Sequence, residues 1–183
     1  LPEAAPPAAR YQVTDISSVG VDYAPVSWSL AIEEPEATLA FNTAKIAISR
    51  EPAQIEYYAG GQWVDRAPRL IGASLVRSFE NTGAVKGVGN RITLPVATYV
   101  LQTDIRKLAV VKSDEGLSAQ AQIFARVTNG RGVIYASKLF AASTSTPDDD
   151  AGVAASALNT SLEAIQRELV AWTIDEASRV LQD

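Results

Sequence analysis

The second half of the chain contains three strand-length stretches in series, and this pattern constrains the fold more than any other feature. Residues 117–127 alternate between apolar and polar side chains, which is the period of a strand with one buried face. The apolar set is Leu117, Ala119, Ala121, Ile123, Ala125 and Val127. The neighbouring stretches 98–112 and 133–141 are rich in residues that favour strands, and Asn129-Gly130 favours a tight turn. We therefore predict a three-stranded antiparallel meander.

A long helix is predicted after the meander, from about Pro147 to Arg179. Its apolar side chains follow a 4-3-4-3 spacing, which forms one stripe facing a sheet or another helix: Leu158, Leu162, Ile165, Leu169 and Trp172. Thr146 is the expected N-cap, and the carboxylates of 148–150 are expected in the first turn, where the helix dipole favours them. We prefer this interpretation to a divalent-metal cluster, because adjacent residues of one turn point in different directions.

The first half of the chain has weaker signals that complete one domain. Residues 26–32 alternate as a half-buried strand, and 44–49 and 54–58 are predicted strands around the turn at Pro52. Residues 67–80 have an apolar helical face, and the glycines at 83, 87 and 89 are interpreted as a flexible connection. The predicted fold class is α/β (α+β), with a mixed, largely antiparallel sheet backed by two main helices.

The chain is predicted to divide into a tether over 1–24 and a single domain over 25–183. The first ten residues contain prolines at positions 2, 6 and 7 and four alanines without apolar periodicity, which favours an extended, semi-rigid spacer over a helix. A frayed terminus has the same composition. No apolar run approaches the ~20 residues of a membrane-spanning helix.

Composition excludes several chemistries. The chain has no His and no Cys, so it cannot form a Ser-His-Asp or Cys-His catalytic site, or a zinc site built from imidazole or thiolate. The net charge of −5 disfavours nucleic acid as a partner. Glu33, Glu34 and Glu36 could form a carboxylate pair for acid–base chemistry, but a solvated turn has the same composition. We predict no enzyme, no cofactor and no metal site.

Aromatic residues grouped between positions 55 and 71 could lie in the core or could anchor an interface. On alternation alone we expect Tyr57 and Trp63 in the core, with Tyr58 on the opposite strand face as a possible interface residue. Trp172 on the apolar stripe of the last helix is also expected in the core. This segment, I-E-Y-Y-A-G-G-Q-W-V-D-R-A-P-R-L-I, is the sharpest part of a resemblance that spans about residues 26–175.

The chain resembles the ABC-type transport auxiliary lipoproteins, the PqiC-like family. The other matching segments are K-I-A-I-S at 45–49, Y-V-L-Q-T-D-I-R-K-L at 99–108, G-V-I-Y-A-S-K-L-F at 132–140 and A-W-T-I at 171–174. The resemblance implies a periplasmic protein that is lipid-anchored to the outer or inner membrane through an N-terminal Cys. This chain lacks that Cys, and we expect it upstream of Leu1.

The resemblance also implies partners and a fold. The implied partners are ABC transporter subunits and an Mce-domain protein that carries lipid, and some members form rings. The implied fold is similar to the N-terminal domain of TolB. The leading hypothesis is a non-catalytic docking or assembly subunit, and the alternative is a monomeric lipid-binding carrier. Self-association or a stable complex would favour the first, and co-purified lipid in an apolar cavity would favour the second.

Overall fold

The structure, a computed structural model, describes residues 3–17 and 22–181. Within these ranges nine strands and two helices follow one another along the chain. They are β1 (Ala9–Tyr11), β2 (Val26–Ile32), β3 (Glu36–Ala37), β4 (Lys45–Ser49), β5 (Glu56–Trp63), α1 (Ala67–Thr82), β6 (Val85–Asn90), β7 (Tyr99–Ser113), β8 (Gly116–Thr128), β9 (Ile134–Thr146) and α2 (Ala151–Val180).

The 15-residue strand β7 organises the sheet. One of its edges pairs antiparallel with β8 over its length, and the other edge takes β2, β3 and β4 in turn, all parallel. Beyond these strands, β6 lies beside β2, β5 beside β4, β1 beside β5, and β9 beside β8. Most paired residues belong to the antiparallel meander β7–β8–β9, so the predicted mixed, largely antiparallel sheet with two helices is confirmed.

Both helices lie on one face of the sheet. The alternation in β8 explains why, since its odd-numbered side chains from 119 to 127 are fully buried beneath α2. Ser161 on α2 donates a hydrogen bond to the carbonyl of Ala119 at 2.9 Å. Trp172, also on α2, packs edge-on against Phe140 of β9, with 5.4 Å between ring centroids. The same face of β2, β4 and β7 completes the core.

The helix ends differ in part from prediction. α1 has a proline in its first turn and ends at Gly83, whose φ of 65° is the left-handed conformation that glycine adopts freely. α2 starts at Ala151 rather than Pro147, because Asp150 is its N-cap and accepts from two backbone N–H groups. The predicted cap at Thr146 is wrong, because pairing with Leu117 keeps that residue in β9. In the described ranges no helix is both long and apolar enough to cross a membrane.

The folded domain begins earlier than position 25. β1 pairs in parallel with β5, and Val13 and Ile16 are buried in the core. The predicted tether over 1–24 is therefore wrong for residues 9–16, because residues 9–11 pair with the sheet edge and Val13 and Ile16 pack in the core. Apolar periodicity does not reveal this backbone pairing. Residues 1–2 and 18–21 of that predicted tether lie outside the described residues.

A buried polar cluster holds this N-terminal segment between the helices. The Gln166 side-chain oxygen accepts hydrogen bonds from Ser78 at 2.7 Å and Ser74 at 3.1 Å. The single hydroxyl proton of Ser74 is shared between Gln166 and the carbonyl of Thr14, which lies 3.0 Å away, and the Ser78 oxygen accepts from the N–H of Ile16 at 3.3 Å. Because buried polar groups are costly when unpaired, this cluster fixes the positions of α1, α2 and the N-terminal segment relative to one another.

The glycine-rich segment after α1 is a strand rather than a flexible connection. Gly87 and Gly89 lie in β6, which pairs in parallel with β2 through partners such as Leu30 and Val88. The prediction of a loop is wrong because β2 offers its backbone groups on that side, and pairing with them overrides the low strand propensity of glycine.

Candidate docking surface

The meander has one covered face and one open face. Even-numbered side chains of β8 point away from the helices, and their neighbours across the ladders lie on the same open side. Phe124, for example, pairs with Asp104 of β7 and with Leu139 of β9. We define the meander face as the outward side chains of Asp104, Arg106, Lys107, Phe124, Arg126 and Leu139.

Phe124 lies between two guanidinium groups on this face. The Arg106 guanidinium carbon is 5.0 Å from the ring centroid, and that of Arg126 is 4.6 Å from it. Arg106 also donates to Asp104 at 2.6 Å. Leu139, directly opposite Phe124, is 47% exposed. Arginine and aromatic side chains grouped in this way are typical of the residues that dominate binding energy at protein interfaces.

A β-bulge in β7 places two consecutive basic residues on the meander face. The ladder pairs Ile105 with Ile123 and Lys107 with Gln122, so Arg106 is the extra residue. Simple alternation would put Arg106 and Lys107 on opposite faces. With the bulge, Lys107 reaches Gln120 of the open face at 3.3 Å while Arg106 stacks on Phe124. The bulge thus concentrates positive charge on one side.

The meander carries the opposite net charge from the rest of the chain. Residues 99–146 include six basic and three acidic side chains, a net charge of +3. Since the whole chain has a net charge of −5, the remaining residues carry −8. The basic set is Arg106, Lys107, Lys112, Arg126, Arg131 and Lys138. An acidic partner would therefore be attracted to the meander and repelled by the rest of the domain.

The outer edge of β9 has no partner strand among residues 3–17 and 22–181. β9 is 13 residues long and contains one charged residue, Lys138, and no proline. Exposed edge strands in natural proteins are usually short, charged or interrupted by proline, because their free N–H and C=O groups pair readily with other chains. We refer to this unpaired side as the β9 edge.

The aromatic residues of the 55–71 segment are divided between core and surface. Trp63 is 1% exposed and lies in the core. Tyr57 is 37% exposed on the open side, where its hydroxyl donates to the Ala40 carbonyl at 3.1 Å. The expectation that Tyr57 is a core residue is therefore wrong. Extra residues in β5, between the Ala47–Tyr57 and Lys45–Gln62 pairs, break the alternation that placed Tyr57 and Trp63 on one face.

Tyr58 packs against the core and is half-buried. Its hydroxyl is buried and has no hydrogen-bond partner of good geometry in the described part of the chain, although the Asp149 carboxylate is close. Burial, followed by the interaction of the hydroxyl with the Asp149 carboxylate, raises the pKa of Tyr58 well above its usual value. An interface role for Tyr58 stays a prediction, and it would require contacts through the exposed part of the ring. Trp172 is likewise half-buried and packs against the core.

An ion pair beside Tyr58 connects the sheet to the start of α2. Arg50, at the end of β4, donates hydrogen bonds to both carboxylate oxygens of Asp149 and lies 3.2 Å from Glu56. The hydrogen bonds from Arg50 lower the pKa of Asp149. Asp149 therefore links the β4–β5 turn to the start of α2, instead of lying in the first helical turn as predicted.

A separate cleft of about 830 Å³ lies between α1, the end of β2 and the segment after β6. Its apolar lining includes Ile32, Val76 and Ile92, and its rim carries arginines. These arginines have acidic partners: Arg66 is 2.8 Å from Glu34, and the ion pair of Arg91 with Glu33 measures 3.8 Å. The cleft therefore has little uncompensated charge.

The three carboxylates considered for acid–base chemistry do not all line one pocket. Glu33 and Glu34 line the cleft, and the third candidate, Glu36, lies exposed in β3. In the residues that the structure describes, no group of three or more His, Cys, Asp or Glu side chains could hold a metal ion.

The docking surface could be recognised in the sequence only in part. Phe124 is the one large apolar residue at an even position of β8, among Ser118, Gln120, Gln122 and Arg126. An aromatic residue next to an arginine on the polar side of a strand has the composition of a protein interface. The contribution of Arg106 and Lys107 to one face has no such signal, since it depends on the bulge.

These features define a mixed α+β domain with an open, basic sheet face and, in the residues that the structure describes, an unpaired β9 edge. The family model for the ABC-type transport auxiliary lipoprotein component matches residues 11–170. This chain belongs to that family.

One curated protein and two solved structures illustrate what this chain is similar to. The chain is 27% identical over 167 residues to the uncharacterized protein bll6063 of Bradyrhizobium diazoefficiens, covering 90% of this chain and 44% of the relative. The chain thus spans less than half the length of that relative. The crystal structure of protein XCC0632 from Xanthomonas campestris has a TM-score of 0.82 at 24% identity, covering 96% of this chain and 98% of the other. The hypothetical protein CT253 from Chlamydia trachomatis has a TM-score of 0.57 at 11% identity, covering 83% and 98%. Both structures share the fold.

Proposed function

We propose that this chain is the periplasmic domain of a lipid-anchored, non-catalytic subunit that docks on an ABC-type lipid transport system. The partners would be the ABC transporter subunits and an Mce-domain protein that carries lipid. Membership in the auxiliary lipoprotein family supports the transport role, and the anchor would be attached upstream of Leu1, in the outer or inner membrane.

The meander face carries this proposal. It combines a partly exposed aromatic ring held between two arginines, an exposed leucine and a local net charge opposite to that of the chain. Because core packing does not require these groups to be exposed together, a binding role explains them better than stability does.

The position of the N-terminal segment agrees with docking by an anchored domain. β1 forms one edge of the sheet and β9 forms the opposite edge, with β5, β4, β7 and β8 between them. Five strand spacings separate these edges by about 24 Å. A tether leading into β1 would leave the meander open to a partner on the far side.

Co-purification from envelope extracts tests this function. The lipid-anchored protein would be expressed with the transporter subunits and isolated through a tag on the Mce-domain subunit. We expect Phe124→Ala and Arg126→Glu to reduce recovery of this protein at least tenfold, because both remove the central contacts of the meander face. Ser156→Ala, on the exposed side of α2, is the matched control and should leave recovery unchanged. Unchanged recovery of all three variants would contradict the assignment of the docking surface.

The cleft supports a second candidate function, a monomeric lipid-binding carrier. Its apolar lining and volume of about 830 Å³ are suited to an acyl chain. Native mass spectrometry of the purified domain would detect a bound lipid, and Val76→Trp should displace it by filling the cleft. A lipid that is retained by Val76→Trp would place binding elsewhere.

A further inference from the structure

We infer that the β9 edge accepts an extended acidic segment of a partner protein as an additional antiparallel or parallel strand. This inference deepens the proposed docking function and rests on it. The β9 edge would supply the backbone hydrogen bonds, and the meander face beside it would select the charge of the incoming segment.

The backbone of β9 supplies the first argument. In an antiparallel ladder, alternate residues direct both N–H and C=O groups away from the partner strand. β9 pairs with β8 from Thr146 back to Ile134, so about half of its 13 residues present these groups outward. Addition of a strand would satisfy them, as in other cases of recognition by strand addition.

The side chains on the two faces supply the second argument. On the open face, Leu139 is exposed on β9 itself, and Arg126 lies one strand inward opposite Ser137. On the helix side, Phe140 and Trp172 form an apolar contact, and Lys138 is 2.7 Å from Glu168. An incoming strand with acidic residues on one face and apolar residues on the other would match both sides.

Charge favours a partner segment over a second copy of this meander. Two copies joined through β9 would bring together two regions that each carry a net charge of +3. An acidic segment is attracted by Arg106, Lys107 and Arg126 on the open face. The β9 edge repels neither an acidic segment nor a second copy strongly. Lys138 is the only charged residue of β9, and it already has an acidic neighbour.

The test uses two synthetic peptides, Thr-Val-Glu-Val-Glu-Val-Thr and the same sequence with Lys in place of Glu. Amide hydrogen exchange followed by NMR reports which β9 N–H groups become protected. We expect the acidic peptide to protect alternate residues of β9 and to bind at least tenfold more tightly than the basic peptide. Arg126→Glu should abolish or reverse this preference. Lys86→Glu makes the same charge change at an exposed position of β6 and should preserve the preference for the acidic peptide.

Three results would overturn the inference. Equal affinity for both peptides would remove the role of charge, and absence of β9 protection at millimolar peptide would remove strand addition. Protection that rises with protein concentration in the absence of peptide would assign the edge to a second copy instead. If β9 stays unprotected but Phe124→Ala still reduces recovery with the transporter, the strand-addition inference is wrong and the proposed docking function is retained. If the unmodified protein does not co-purify either, both proposals fail.

Discussion

The aromatic segment around β5 and the meander face differ in how they use large side chains. In the aromatic segment, Trp63 is buried and Tyr58 packs under the ion pair of Arg50 and Asp149. On the meander face, Phe124 and Leu139 lie on the outward side, where the helices do not cover them. The first region is therefore built for stability, whereas the second has the composition of an interface.

The region that most resembles the family is therefore not the region with the composition of an interface. The sharpest resemblance lies in the segment where the sheet, the N-terminal strand and the start of α2 meet. Gly61, for example, lies where a Cβ atom would come within 2.7 Å of the Tyr11 ring and 2.9 Å of Ala151. A segment with such close contacts is constrained by packing, so its distinctive residues need not contact a partner.

Replacing the central aromatic residue of each region should separate the two roles most clearly. We expect Trp63→Ala to lower the free energy of unfolding by about 3–5 kcal/mol, because it leaves a cavity in the core. Phe124→Ala should cost about 1 kcal/mol or less, since the ring is partly exposed and loses mainly its contacts with Arg106 and Arg126. Urea unfolding measures both. If the two variants lose similar free energies of unfolding, Phe124 contributes to stability as a core residue does.

The two adjacent glycines of β5 provide a matched pair. Gly61→Ala should cost about 1–3 kcal/mol and lower Tm by roughly 5 °C, because the added methyl group collides with Tyr11 and Ala151. Gly60→Ala is the control, since nothing lies within 4 Å of its added Cβ. Thermal melts followed by circular dichroism compare them. Equal Tm values would mean that β1 is not packed tightly onto β5.

The sequence predicts the meander from continuous apolar alternation, and it predicts both helices from apolar residues spaced three and four apart. The prediction fails where extra residues interrupt the pattern. In β5, irregular pairing with β4 puts Tyr57 outward, and in β7 the bulge at Arg106 brings Lys107 to the open face. These irregularities arise from tertiary pairing, so local periodicity cannot show them. The N-terminal strand was missed for the same reason, since backbone pairing requires no apolar pattern.

Alkaline pH should destabilise the aromatic segment through Tyr58. The pKa of Tyr58 is raised in the folded protein, so its stabilising contribution is complete below the unfolded value of 10.0 and is lost as pH rises beyond it. Tyr58→Phe cannot ionise, so its stability should fall less steeply above pH 10 than that of the unmodified protein. Urea unfolding between pH 8 and pH 11 tests this. Identical alkaline profiles would place the Tyr58 hydroxyl in water.

The smallest expected effect concerns the ion pair beside Tyr58. Hydrogen bonds from Arg50 lower the pKa of Asp149 below its ordinary value of 3.8 in the folded protein. The contribution of Asp149 is therefore present above pH 3.8 and is lost as pH falls through the lower, folded value. Asp149→Asn should make the acid limb of the stability profile shallower. The effect should be slight, because both side chains are about two-fifths exposed and water screens the pair. Arg50→Gln should produce the same flattening, and the double variant should add nothing further. Additive effects in that cycle would mean that Asp149 acts on the helix start alone, and that the β4–β5 turn is held by other contacts.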